Sequence, residues 1–372
     1  MEYTVKKDKK VQTCGIKTSI GGQALMEGIM MRGPKRSAMA VRDPRGEIVI
    51  EEWDTKVSTR SKIFKLPIIR GVFNFADSMT SGYKCLMRSA EISGLEELEE
   101  EERRIKAAKK AEKAAKKAAK RGQPVPEIKE PEAEEGKTKA DTEKKKESSS
   151  TGWIMAIAML IAIPLAVLLF IWLPNFIGTL ILGKNAAVEH PVLLSVISGL
   201  IKVVMLVTYM VLVSFMKDIR RTFMYHGAEH KTIFCYEQGL ELTVENVRKQ
   251  KRFHPRCGTS FLMLMLLVGM VIMIGVSYIL KSVLPEEIIS NNIIYLLIRC
   301  ACTLVLVPLM MGIGYELIKI AGKHDNLVTR IISAPGMWLQ RITTVEPDDS
   351  MIECAIIAIQ KVIPDDGSDQ IG

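Results

Sequence analysis

The chain has 372 residues, of which 48% are hydrophobic and 25% charged, and its formal net charge is +9. These averages conceal two populations, a Lys- and Glu-rich part and several long apolar runs, and the runs exclude an ordinary soluble domain, whose helices must turn one face to water. The seven cysteines, Cys14, Cys85, Cys235, Cys257, Cys300, Cys302 and Cys354, are scattered without a CxxC pair, which argues against a secreted disulfide framework and for reduced thiols.

The N-terminal stretch MEYTVKKDKKVQTCG lacks the short apolar core of a cleavable signal peptide, so none is expected. Residues 1–60 read as a cytoplasmic β-rich unit. Within it, Ala38–Arg42, the turn Asp43-Pro44-Arg45-Gly46 and Glu47–Glu51 predict strand, turn and strand. The preceding GGQALMEG, residues 21–28, has glycines suited to tight turns or to close approach of another surface. Residues 61–95 predict an amphipathic helix on the membrane surface or beneath a bundle, and an ordinary soluble helix fits the same pattern. Residues 96–150 collapse to Glu, Lys and Ala, with Pro124, Pro126 and Pro131, and read as a charged, disordered linker.

Four stretches within residues 151–320 approach or exceed the roughly 20 apolar residues that cross a bilayer as a helix. They are Trp153–Leu173, Val192–Met216, Phe261–Leu280 and Ile293 to about Ile320. The remaining residues, 321–372, form a helical tail in which Met351–Val362 follows an acidic first turn. The expected fold is therefore a mainly α membrane protein of four transmembrane helices, with the small β-rich unit before them and the helical tail after them. The loop at 217–260 carries Lys217, Arg220, Arg221, Lys231, Arg248, Lys249, Lys251, Arg252 and Arg256, whereas the loops on either side carry only Lys184 and Lys281. That asymmetry places both termini and the 217–260 loop in the cytoplasm of a cell inner membrane. Topology and anionic lipid thus explain the positive charge, and nucleic acid is not expected as a partner. Lys202, inside the second span, is either paired within the bundle or snorkelling to the surface.

The stretch RTFMYHGAEHKTIFCYEQG, residues 220–238, contains two of the five histidines, His226 and His230, four positions apart. If the second span continues as a helix, both rings and Glu229 share a face. His-x-x-Glu-His is the inverzincin order, in which two histidines hold a zinc ion and the glutamate serves as general base. A catalytic zinc wants a third protein ligand and an open position. RFHPRCGTSF places His254 and Cys257 at the mouth of the third span, and GIGYELIK places Glu316 near the same end of the fourth. The expected metal set is His226, His230 and one of His254, Cys257 or Glu316, with Glu229 catalytic and a divalent metal, zinc first, as cofactor. Cys235, five positions beyond His230, reads as packing. Arg32, Arg36, Arg256 and Lys231 are candidates to hold an anionic headgroup. The competing reading has His254 capping the third span, Cys257 packed, and the polar residues bracing the bundle.

GGQALMEGIMMRGP at 21–34, YHGAEHKTIFCYE at 225–237, HPRCGTSF at 254–261 and PGMWLQRITTVEPDD at 335–349 resemble a bacterial membrane-protein family known as domain of unknown function 1385, which carries the label of a predicted metal-dependent enzyme. The resemblance implies metal-dependent activity at His226, Glu229 and His230, extending to His254, and implies no established reaction. Against the family pattern, residues 96–149 look like an insertion. The leading expectation is a hydrolase acting on a lipid or membrane-associated substrate. The alternatives are a non-catalytic assembly or regulatory protein, and a transporter that with four spans would need to oligomerise. Expected partners are membrane lipids, such a substrate and further copies of the chain.

Overall fold

The structure, a computed structural model, describes residues 16–55, 64, 66–94, 157, 160–162, 164–183, 185–324 and 326–370. Residues 1–93 together with 170–372 form one compact unit, and residues 94–169 form another. The linker expected at 96–150 lies outside the described residues.

The first unit opens with an antiparallel sheet in the order β1 (Gly21–Leu25), β2 (Gly28–Arg32), β3 (Arg36–Arg42) and β4 (Ile48–Asp54). The expected strand pair is therefore present and somewhat longer, with Asp43 Oδ1 accepting from the N–H groups of Arg45 (2.9 Å) and Glu47 (2.8 Å) to hold its turn. GGQALMEG is more than a turn. It supplies β1 and the start of β2, joined through Met26 and Glu27, and Glu27 takes the left-handed φ of 50°.

Helix α1 (Ile69–Ile92) follows. The first candidate span, Leu160–Leu182, ends in α2 (Leu173–Leu182), and a short α3 (Ala186–Glu189) leads to α4 (Pro191–Ser214). Helix α5 (Lys217–Glu237) and the short α6 (Val244–Arg248) precede α7 (Gly258–Val283). Then come α8 (Glu286–Ser290), α9 (Asn292–Lys323), α10 (Leu327–Thr343) and α11 (Asp349–Val362). Four helices, Leu160–Leu182, α4, α7 and most of α9, are long and apolar enough to cross a membrane. The first ends at Leu182, beyond the expected Leu173, and residues 153–156 of the expected span lie outside the described residues. A π-helical turn at Leu168–Trp172 precedes Pro174, which falls in the first turn of α2 where its missing N–H is tolerated. Asn175 Nδ2 donates to the Ile171 carbonyl at 2.7 Å across the same junction.

The second span does not run on into the histidine segment. Met216, at ψ 129°, is extended, so α4 ends and α5 starts afresh with Asp218 in its first turn, where an acid suits the helix dipole.

β2 and β3 are apolar almost continuously because both sheet faces are covered. On one face Leu25, Met30, Met39 and Val41 pack with Cys85, Leu86 and Ile92 of α1. On the other, Ile29, Met31, Ala38 and Ala40 share a cluster with Tyr225, Ala228 and Ile233 of α5 and with Met351, Ile352, Ala355 and Ile359 of α11. The N-terminal unit, the histidine loop and the C-terminal tail, separate in the sequence reading, thus share one core. Their apolar residues are too few in each piece to bury themselves alone.

Candidate metal centre

Helix α5 is buried around much of its circumference, from Gly227 to Ile233. A helix so enclosed is normally apolar, yet this one carries Glu229, His230, Lys231 and Thr232. Each buried polar atom then needs a partner. Lys231 Nζ donates to the Arg248 carbonyl at 2.8 Å and pairs with Glu346, and Thr232 Oγ1 donates to the Ala228 carbonyl at 2.8 Å.

Both histidine rings are oriented in the same way. His226 Nδ1 lies 2.9 Å from the Thr343 carbonyl oxygen and His230 Nδ1 lies 2.5 Å from that of Arg252. A carbonyl can only accept, so each Nδ1 carries a proton and Nε2 is the nitrogen left to face Cys257. His226 Nε2 lies 3.1 Å from Cys257 Sγ, and the same thiol also bonds His230. Ligand atoms of His226, His230 and Cys257 all lie within 4.8 Å of one another. Donors about 2.0 to 2.3 Å from one tetrahedral ion lie about 3.3 to 3.8 Å apart, so the three side chains would draw together by up to about 1 Å to close on it. An N–H to carbonyl bond on the far side of the ring is the usual support of a metal-bound histidine.

Cys257 is the N-cap of α7, and Thr259 N–H donates to its sulfur at 3.4 Å. Burial pushes this thiol up, but the His226 and His230 imidazoles outweigh it and hold it well below its ordinary value. Burial likewise favours a neutral His226, yet the facing Cys257 thiolate and Glu229 carry that ring up to about 9. One thiolate and two imidazoles form a donor set that suits zinc, and three ligands leave one position open. His226 is partly exposed, and His230 and Cys257 are buried.

Glu229 stands beside the cluster, interacting with both imidazoles and the thiol, and accepts from the backbone N–H of Gly22 on β1. Burial raises its carboxyl above the usual range, against the pull of His226 and His230. A Cβ on Gly22 would lie 2.7 Å from the Met30 carbonyl oxygen, 2.9 Å from Met31 Sδ and 3.0 Å from the Glu229 carboxyl carbon, so only glycine lets the strand lie against this acid. Gly227 has the same function toward the chain after α10. There a Cβ would run into the Val345 carbonyl, and Val345 N–H donates to the Phe223 carbonyl at 2.9 Å.

The other expected ligands face elsewhere. His254 Nδ1 accepts from Arg256 N–H at 3.3 Å, and its Nε2 lies 3.6 Å from Glu237. Burial pushes this ring down, which keeps it neutral. Glu316 is bound by Arg70 of α1, with Nε to Oε1 at 2.6 Å, and takes no part in the histidine cluster. Of the four cations expected to take a headgroup, Arg256 pairs with Glu237 and Lys231 with Glu346. Cys235 is buried, its sulfur toward the Glu241 carbonyl at 3.5 Å, as packing requires.

A family model described as "Protein of unknown function (DUF1385)" matches residues 66–365, which include every ligand named above. The chain belongs to that family. It is also 29% identical over 350 residues to the "Uncharacterized protein YqhQ" of Bacillus subtilis (strain 168), with 92% of each chain covered. No solved structure matches.

The sequence reading missed the residues that hold the ligands in place. Gln340 Oε1 accepts from His254 N–H at 2.7 Å, while its Nε2 donates to the His254 carbonyl (2.7 Å) and to Ser260 Oγ (2.8 Å), so one buried amide fixes the loop that delivers Cys257. Its signal was the PGMWLQRITTVEPDD segment itself, polar within an amphipathic helix.

Proposed function

We propose that this protein is a membrane-embedded, metal-dependent enzyme, a hydrolase, in which His226, His230 and Cys257 hold a zinc ion and Glu229 is the general base. The observation that carries this reading is the meeting of the His226 and His230 ring nitrogens with the Cys257 sulfur, with both Nδ1 atoms already committed to backbone carbonyls. A divalent ion bound there would polarise a substrate oxygen and lower the pKa of water toward neutrality.

The chain's own contribution is proton transfer and position. A carboxyl raised by burial takes up a proton more readily than an ordinary glutamate, so a Glu229 Oε accepts one from the attacking water and returns it to the leaving group. The Gly22 N–H holds that carboxylate in place throughout.

A lipid or other membrane-associated substrate on the cytoplasmic side of the plasma membrane fits best. The basic residues of the 217–260 loop favour that side. Helix α10, whose last residue orients His226, exposes Leu327, Val328, Ile331 and Trp338 as an apolar face suited to the bilayer surface. Arg32 and Arg36 are the remaining candidates for a headgroup.

A structural centre in a non-catalytic assembly protein is the second reading. It is favoured by the way α5, the N-terminus of α7 and the segments at Arg252 and Thr343 all meet at this point. Glu229→Gln separates the two. The enzyme reading expects metal content and melting temperature to be retained while turnover, or complementation of a deletion strain, falls about 10²- to 10⁴-fold. Full function in that variant would remove the catalytic role and leave the structural one.

A further inference from the structure

The end of the helix bundle remote from the histidines holds a second polar cluster. Arg299 of α9 is only 2% exposed. Its Nε, Nη1 and Nη2 donate to Asn175 Oδ1 (3.3 Å), Ser277 Oγ (2.6 Å) and Ser195 Oγ (3.2 Å), and the two serine oxygens are 2.7 Å apart. All three acceptors are neutral. The four spans contain one carboxylate, Glu316, which Arg70 occupies near the opposite end.

A second cation worsens the balance. Lys202 lies about two turns beyond Ser195 on α4, near enough for its ammonium to interact with the Arg299 guanidinium. On the same helical face between them, Ser198 is 2% exposed and its hydroxyl has no hydrogen-bond partner among the described residues. The buried Tyr295 hydroxyl, on the turn before Arg299, also has none, and its ring centroid lies 5.8 Å from the guanidinium carbon.

A guanidinium removed from water is costly to leave without a counter-charge, and hydroxyl and amide dipoles offset only part of that cost. Every uncompensated feature here is a positive charge or a spare hydroxyl donor. What is missing is negative charge together with several acceptor oxygens, and an ionisable residue within a span marks a functional site by default. We propose that Arg299, Lys202 and Ser198 form an intramembrane anion site that takes the phosphate group of a lipid.

Depth and the partial exposure of Lys202 favour a lipid as the source. Arg299 is seven residues into α9, about 10 Å from that helix end, a depth that a headgroup phosphate can reach. Lys202 is itself partly exposed, whereas Leu200 and Val204, 53% and 63% exposed, lie on the opposite face of α4 and meet the acyl phase there. The site lies at the other end of the bundle from the metal centre and does not depend on it.

The test uses the full chain, purified and delipidated in an uncharged detergent, with thermal unfolding as readout. Phosphatidylglycerol, diacylglycerol and inorganic phosphate are added separately. Phosphatidylglycerol should raise the wild-type Tm by about 3 °C or more, while diacylglycerol should not. Lys202→Met and Arg299→Gln should each lose most of that rise. Lys202→Met carries the test if Arg299→Gln fails to fold, because Lys202 makes no hydrogen bond among the described residues. Equal stabilisation of wild type and Lys202→Met, or an equal effect of diacylglycerol, would overturn the proposal. A rise given by inorganic phosphate alone and lost in the variants would overturn the lipid source and leave a site for a water-borne anion.

Discussion

The Nδ1 of His226 donates to the carbonyl oxygen of Thr343 at 2.9 Å, across 117 residues of chain. That bond commits Nδ1 and leaves Nε2 to face Cys257, and it makes the helix after the last span part of the candidate metal centre. Gln340, one turn earlier, braces the other side by holding the His254 backbone and Ser260. Gln340→Ala strands three buried polar groups, at roughly 1 to 3 kcal/mol for a group left unpaired. The variant should melt at a clearly lower temperature and bind zinc about 10- to 100-fold more weakly, measured by competition with a chelating dye.

Glu316 should be dispensable to the metal. Because its carboxylate is held by Arg70, Glu316→Gln is expected to keep the full metal content of the wild type while loosening α1 from α9. Elemental analysis and a thermal melt of the same sample check both halves. Loss of metal in this variant would put Glu316 back among the ligands.

Gly22→Ala tests the approach of β1 to the site. The added methyl meets Met30, Met31 and Glu229 at 2.7 to 3.0 Å, an overpacking that costs about 1 to 3 kcal/mol. Activity should fall through displacement of Glu229, while the zinc stoichiometry of the folded fraction stays unchanged.

Metal affinity should depend on pH through His226. The Cys257 thiol, held well below its ordinary value, gives up its proton more readily than a free thiol, whereas the His226 ring, raised to about 9, carries one that zinc must displace. Affinity should therefore rise about tenfold per pH unit from neutrality to about 9, flatten above it and fall on acidification. Calorimetry in two buffers of different ionisation enthalpy should give release of about one proton per zinc near pH 7, and release of none would contradict the assignment.

The histidine pair was legible because four-residue spacing on a helix is a local property, and it holds even though α5 is a new helix rather than an extension of α4. Cys257 was legible from topology, since the start of the third span must lie at the same depth as the end of the second. Topology sets depth but not direction, which is why His254 and Glu316 shared that expectation and face Glu237 and Arg70 instead. The contacts of Gly22 with Glu229 and of Thr343 with His226 join residues more than 100 positions apart, and no periodicity encodes such a pairing. The first span ends at Leu182 rather than Leu173, because Pro174 falls in the first turn of α2, where its missing N–H is tolerated.

The most direct measurement is elemental analysis of the purified wild-type protein beside the His226→Ala/His230→Ala double variant, with circular dichroism showing that both are folded. Wild type should carry close to one zinc or other divalent ion per chain, and the double variant almost none. Wild type prepared without chelator and free of metal, or a double variant retaining the full complement, would contradict a centre built on His226, His230 and Cys257.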